Sequence, residues 1–134
     1  MSTLERAVEI AARAHAGQFD PNGEPYILHP LRMMLKLSTP DDRIVAVLHD
    51  VVEKAGWSIE RLRLEGFSSA VLDAVSALTK STDEEFYDHV KRASQNKIGR
   101  IVKRADIDDH LKNFPMGEHS TKYPEALMLL QAFE

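Results

Sequence analysis

Ile44-Val45-Ala46-Val47-Leu48-His49-Asp50-Val51-Val52-Glu53 is an apolar run broken by an adjacent imidazole and carboxylate. The run has no strict alternation, and the stretch from Arg43 to about Lys54 reads as one helix. Burying a polar group unpaired costs roughly 2–7 kcal/mol, and an unpaired charge costs more. A bound cation removes that cost for His49 and Asp50 together, because each then becomes a ligand.

Outward from this run the pattern stays helical. Ser38-Thr39-Pro40-Asp41 is a turn, and Asp41 or Asp42 is the expected cap of the His49 helix. Upstream, Thr3 caps a helix that runs to His15, with Ala16-Gly17 ending it. Phe19 to Pro25 is a loop dense in turn formers. A second helix begins near Ile27 or Pro30 and carries Leu31, Met34, Leu35 and Leu37. Downstream, a short helix capped by Ser58 turns Leu62 and Leu64 inward and closes at Gly66. Ser68 opens a helix with Val71, Leu72, Val75 and Leu78 on one face. Thr82 or Asp83 starts another, through Phe86, Val90 and Ala93. Lys97 to Lys112 is helical until Asn113-Phe114-Pro115-Met116-Gly117 breaks it. A last helix, about Ser120 to Phe133, has Leu127, Leu130 and Phe133 as its apolar side. With no long alternating run, repeat or low-complexity linker, the expectation is an all-α bundle of about seven or eight helices. It forms a single domain over residues 1–134.

Composition agrees with a soluble globular chain: 43% hydrophobic and 28% charged residues over 134 positions. The net charge of −4 argues against a general nucleic-acid binder. The absence of cysteine excludes disulfides and thiolate zinc sites. No segment has the apolar length of a signal peptide or a membrane span, so a cytoplasmic protein is expected. The oligomeric state is left open.

Three stretches carry candidate chemistry. Glu53 follows His49 by four residues and Asp50 by three, which puts all three side chains on one helical face, roughly 5–6 Å apart at their bases. That offset suits a general base, or an orienter of an attacking water, better than a ligand. His29 sits at a loop-to-helix junction, and Asp106 lies on the apolar side of a late helix. Two imidazoles and two carboxylates suit Mn(II), Fe(II), Co(II) or Zn(II) better than Ca(II). Each residue alone has a plainer reading. A His-Asp dipeptide arises by chance, His29 fits a satisfied junction histidine, and Asp106, Asp108 and Asp109 fit a solvated helix face. Their combination, in the order His, His-Asp, Asp and on matching helices, is what points to a metal.

These stretches resemble the HD-domain hydrolases of the RelA/SpoT type, in particular small single-domain members similar to the metazoan SpoT homologues. The matching segments are Ala14-His15-Ala16-Gly17-Gln18, Gly23-Glu24-Pro25-Tyr26-Ile27-Leu28-His29-Pro30, Val47-Leu48-His49-Asp50-Val51-Val52-Glu53, Ala77-Leu78-Thr79-Lys80 and Val102-Lys103-Arg104-Ala105-Asp106. The resemblance implies an all-helical HD fold and a Mn(II) site made by His29, His49, Asp50 and Asp106. It further implies removal of the 3′-pyrophosphate from the stringent-response nucleotides (p)ppGpp. Glu53 would handle the water's proton, and Lys103 and Arg104 would meet the anionic substrate. His15 and Gln18 would brace the loop before His29, and Tyr26 would pack behind the site. One domain's length leaves no room for the synthetase portion of the long members.

Three positions depart from the family pattern. Lys54 replaces the second acid of a Glu-Asp pair, Asp20 stands where a basic residue is usual, and His110 replaces an asparagine four residues after the last metal aspartate. Lys54 could pair with Asp50 or reach a substrate phosphate, placing it with Glu53 among the catalytic candidates. Asp20 and His110 join Lys103 and Arg104 among candidate substrate contacts. These changes keep two rivals open: an HD phosphohydrolase acting on another phosphorylated nucleotide such as NADPH, and a non-catalytic HD module that binds a nucleotide or a partner.

Overall fold

The computed structural model describes residues 2–114 and 119–133, and among them the chain is helical, with one isolated bridge between Phe19 and Pro25. The helices are α1 (Leu4–Ala14), α2 (Leu28–Lys36), α3 (Pro40–Leu48), α4 (Val51–Ala55), α5 (Ile59–Leu64), α6 (Ser69–Leu78), α7 (Phe86–Ser94), α8 (Lys97–Asn113) and α9 (His119–Gln131). The all-α expectation holds. The count exceeds seven or eight because the expected Arg43–Lys54 helix is two segments. The ladder breaks at His49 and Asp50 (Asp50 φ −107°, ψ 0°), and α4 restarts at Val51. The break turns both polar side chains into the interior.

Side-chain caps begin five helices, at Thr3, Thr39, Ser58, Ser68 and Asn96, each accepting from the backbone N–H three residues on. Each cap stabilises its helix by about 1 kcal/mol. The α3 cap is Thr39, not Asp41 or Asp42, because Pro40 takes the first helical position, where its missing N–H is not needed. Nor does α7 start at Thr82 or Asp83; it starts at Phe86. Arg92 bonds the Ser76 and Thr79 carbonyls and the Glu84 carboxylate, and so holds the preceding segment as a loop.

α3 is the central helix. Val45, Ala46, Val47 and Leu48 are all fully buried, which requires neighbours on every side, and α1, α2, α6 and α8 supply them. Ile10, Met33, Val51, Leu62 and Val75 complete this main core. A second cluster, Val90, Ile107, Tyr123, Ala126 and Leu130, joins α7, α8 and α9. The inward assignment of Leu64 fails, as it is 81% exposed; on α2, Leu35 is 75% exposed while Met33 is fully buried. Phe133 is also largely outside the core, at 40% exposed. The expected break at Pro115, Met116 and Gly117 lies outside the described residues.

Gly99 sets the start of α8. A Cβ there would meet the Ala93 carbonyl oxygen at 2.9 Å and Asn96 Cβ at 3.2 Å, so the α7–α8 turn closes only over a hydrogen.

Candidate metal centre

The α3–α4 break delivers His49 and Asp50 side by side. His49 is buried, and its Nδ1 lies 2.7 Å from the Ala46 carbonyl oxygen, one turn back on the same helix. With Nδ1 donating, the ring in its neutral form has Nε2 bare. Nε2 sits 3.0 Å from Asp50 Oδ2 and 3.7 Å from Asp106 Oδ1, yet makes no hydrogen bond to any described residue. The Tyr26 hydroxyl donates to Asp50 Oδ2.

His29, in the first turn of α2, is fully buried. Its Nδ1 lies 2.7 Å from Asp109 Oδ2, and Asp109 receives both forks of Arg32 at 2.8 Å and the Asn113 amide at 2.9 Å. The His29 Nε2 faces inward, 2.9 Å from Asp106 Oδ1; with the ring neutral and its proton held towards Asp109, that nitrogen carries the lone pair a metal would use. His110 Nε2 reaches the same oxygen at 3.3 Å, and Lys103 Nζ donates to Asp106 Oδ2 at 3.1 Å.

Three imidazole nitrogens thus converge on one carboxylate oxygen. Two of them, His29 and His49, have an acceptor on Nδ1, so in their neutral forms they present lone pairs at Nε2. Lone pairs facing lone pairs in a buried space repel unless positive charge lies among them. The raised imidazole pKa values point to the same need, because a protonated ring supplies that positive charge where no cation does. Burial disfavours an imidazolium at His49, but Asp50 and Asp106 outweigh it and hold the ring well above its ordinary value. At His29 burial is likewise outweighed, by Asp106 and Asp109. Burial disfavours the charged carboxylates too, yet His49 and Lys54 hold Asp50 below the usual range, and Lys103 with the imidazoles does so for Asp106. Burial and the Asp50 charge raise the Tyr26 hydroxyl, keeping it a proton donor. The donor atoms of His29, His49 and Asp50 lie within 4.8 Å of one another, as do those of His29, Asp106 and His110. The donor set, the acceptors seated on Nδ1 of His29 and His49, and the orphaned His49 nitrogen fit a divalent transition-metal ion.

A cleft of about 160 Å³ opens onto this cluster, lined by Glu53, Lys54, Lys80, Lys103 and Lys122 among others. Glu53 Oε1 accepts from the Lys80 backbone N–H at 3.0 Å, which holds the carboxylate at the cleft wall. A wider hollow of about 680 Å³ shares Lys54, His110 and Tyr123 with the cleft and runs along Phe19, Asp20 and Phe114. Lys54 is exposed and lies 4.9 Å above the Tyr26 ring. Asp20 accepts from the backbone N–H groups of Asn22 and Glu24, so its carboxylate organises the loop that edges this hollow. His15 and Gln18 brace that loop: their side chains bond at 2.8 Å, and the Gln18 amide donates to the Lys54 carbonyl.

Arg104 is not brought to the cluster. It lines a groove with Lys36, Lys97, Arg100 and Asp108, because one residue along α8 from Lys103 is a rotation of about 100°. Lys103, Asp106 and His110, three and four residues apart, share the inward face. The sequence reading missed Asp109, which looked like part of a solvated acidic run but is fully buried. It also missed Lys122, which α9 brings from far along the chain with no local signal.

The HD-domain family matches residues 7–105, stopping one residue short of Asp106. A guanosine-3′,5′-bis(diphosphate) 3′-pyrophosphohydrolase of Aquifex aeolicus is 37% identical over 81 residues, 58% of this chain and 12% of that protein. The protein of that name in Vibrio cholerae is 32% identical over 103 residues, 72% of this chain and 14% of its own. A GTP pyrophosphokinase of Streptomyces coelicolor is 32% identical over 99 residues, 71% and 12% respectively. The chain therefore spans only 12–14% of the length of these relatives. A solved structure of a metazoan orthologue of SpoT, described as hydrolysing ppGpp, shares the fold. Its TM-score is 0.76 at 21% identity, over 99% of this chain and 84% of that one. With most of its helices inside the family match and the His49-Asp50 doublet at the break between α3 and α4, this chain belongs to the HD-domain family.

Proposed function

We propose that the protein is a Mn(II)-dependent phosphohydrolase that splits ppGpp into GDP and pyrophosphate. The observation that carries this reading is the convergence of the His29 and His49 Nε2 atoms on the Asp50 and Asp106 carboxylates beneath a lysine-lined cleft. The activity printed for the Aquifex, Vibrio and metazoan relatives supports the same choice.

His29, His49, Asp50 and Asp106 would hold the ion, which supplies positive charge at phosphoryl oxygens and acidifies water. Glu53, held by the Lys80 amide, takes or positions the proton of the attacking water. Water adds to phosphorus, the bond to the ribose 3′-oxygen breaks, and that oxygen leaves protonated. Lys54, Lys80 and Lys122 balance substrate charge at the cleft wall. Lys103 is buried against Asp106 and acts mainly by holding that carboxylate ionised and in place. The 680 Å³ hollow is of a size to receive the nucleoside.

Purified protein with Mn(II) and ppGpp should release GDP and pyrophosphate in equal amounts. Lys54→Asp, which restores the family's acidic pair, should raise the rate; a fall would mean that the cation above Tyr26 helps catalysis. A second reading, another phosphorylated nucleotide such as NADPH, is favoured by one observation: Arg104, an expected phosphate contact, lies outside the cleft. Turnover of a nucleotide panel that includes NADPH, without turnover of ppGpp, would select it. Metal uptake with no turnover of any member would leave a binding module.

A further inference from the structure

We infer that His110 is itself a metal ligand, through Nε2, so that the ion is held by three imidazoles and two carboxylates. This rests on the reading that the cluster holds a divalent ion.

His110 follows Asp106 by four residues on α8, an offset that lets two side chains meet on one ion, as paired histidines do in zinc-binding helices. Its ring is held on three sides. It stacks on Tyr123 with centroids 4.9 Å apart and planes 21° apart, and it stands edge-on to Phe114 at 4.7 Å and to His29 at 4.9 Å. That clamp points Nε2 at Asp106 Oδ1, 3.3 Å away, the same oxygen that His29 approaches at 2.9 Å. His29, Asp106 and His110 form a donor triad within 4.8 Å, and it overlaps the His29, His49 and Asp50 triad at His29. Asp106 also joins the two, its Oδ1 lying 3.7 Å from His49 Nε2. The aromatic clamp brings together Phe114, just past the end of α8, and Tyr123 of α9.

A third imidazole changes which ion the site prefers. Nitrogen donors suit Fe(II), Co(II) and Zn(II), whereas Mn(II) is better served by oxygen. The position where the family usually carries an asparagine thus makes this site richer in nitrogen than the four-ligand set implies.

The test measures metal binding without nucleotide. Metal-free wild-type protein and His110→Asn are titrated with Co(II) and with Mn(II), with circular dichroism and melting to confirm that the variant folds. His110→Asn should weaken Co(II) by about 10-fold or more, since even partners behind the ligands are worth 10–100-fold, and should weaken Mn(II) less. Added imidazole should restore Co(II) affinity to His110→Ala. In wild-type protein loaded with one Co(II), X-ray absorption should count three imidazoles; this needs no variant to fold. A count of two, or equal losses for both ions in His110→Asn, would overturn the inference and leave His110 as a group that orients Asp106. Two ions per chain, one lost in His110→Asn, would overturn the shared site. If wild-type protein binds no divalent ion, the proposed function falls as well; if it binds one through two imidazoles, only this inference falls.

Discussion

His29 and His49 present the same atom to the same space by opposite means. His49 is oriented locally: its Nδ1 donates to Ala46, three residues earlier on its own helix, so the ring is set once α3 forms. His29 is oriented from 80 residues away, by an Asp109 carboxylate that Arg32 in turn grips with two hydrogen bonds. That ring is set only when α2 docks on α8. One candidate ligand depends on secondary structure and the other on tertiary packing, so the two should fail differently.

Removing either ring should have the largest effect. His49→Ala is expected to abolish metal binding and turnover while the fold survives, read by metal analysis alongside circular dichroism. Asp109→Ala separates the two modes of support. It strips the fully buried partner of both His29 and Arg32, and should cost about 2–4 kcal/mol in denaturant unfolding. It should also weaken metal binding by roughly 10–100-fold. An Asp109→Ala protein with unchanged stability and affinity would break the comparison, because His29 would then need no distant brace.

His89 offers a third kind of support. It is buried with no hydrogen bond at Nδ1, and burial with the nearby Lys103 charge pushes its pKa down to about 4. Between about pH 6.5 and 4 the unfolded chain takes up a proton that the folded chain refuses. This part of the stability is therefore complete above about 6.5 and is lost as the pH falls towards 4, on the order of 2 kcal/mol. Melting curves of His89→Gln should lose that acid dependence. Smaller still is Tyr26→Phe, which deletes one hydrogen bond to Asp50. It should cost about 1 kcal/mol of stability and weaken metal binding only a few-fold.

The same division explains what was legible in the sequence. The caps at Thr3, Ser58 and Ser68 are local signals and stand where expected, and the doublet His49-Asp50 is as local, but it sits at a break between α3 and α4 and not with Glu53 on one continuous helix. Leu64 faces solvent against expectation because a helix of six residues is too short for periodicity to say which face is covered. The break after Leu48 left no mark, since it serves side chains that face a centre assembled from distant segments. Asp109 is indistinguishable along the chain from half-buried Asp108; only the approach of His29 and Arg32 separates them. Arg104 could have been set aside in advance, because the offset from Lys103 to Asp106 to His110 already defines the inward face of α8 and leaves Arg104 off it.

The bare Gly99 backbone at the α7–α8 turn has a reach longer than its size. Asp106 stands seven residues further on, two turns and about 10 Å along the same rod. A single methyl at that bend would lever the rod away from its seat, and the displacement would arrive at the carboxylate as an error in aim. An atom that is not there thereby bears on where the Asp106 carboxylate sits.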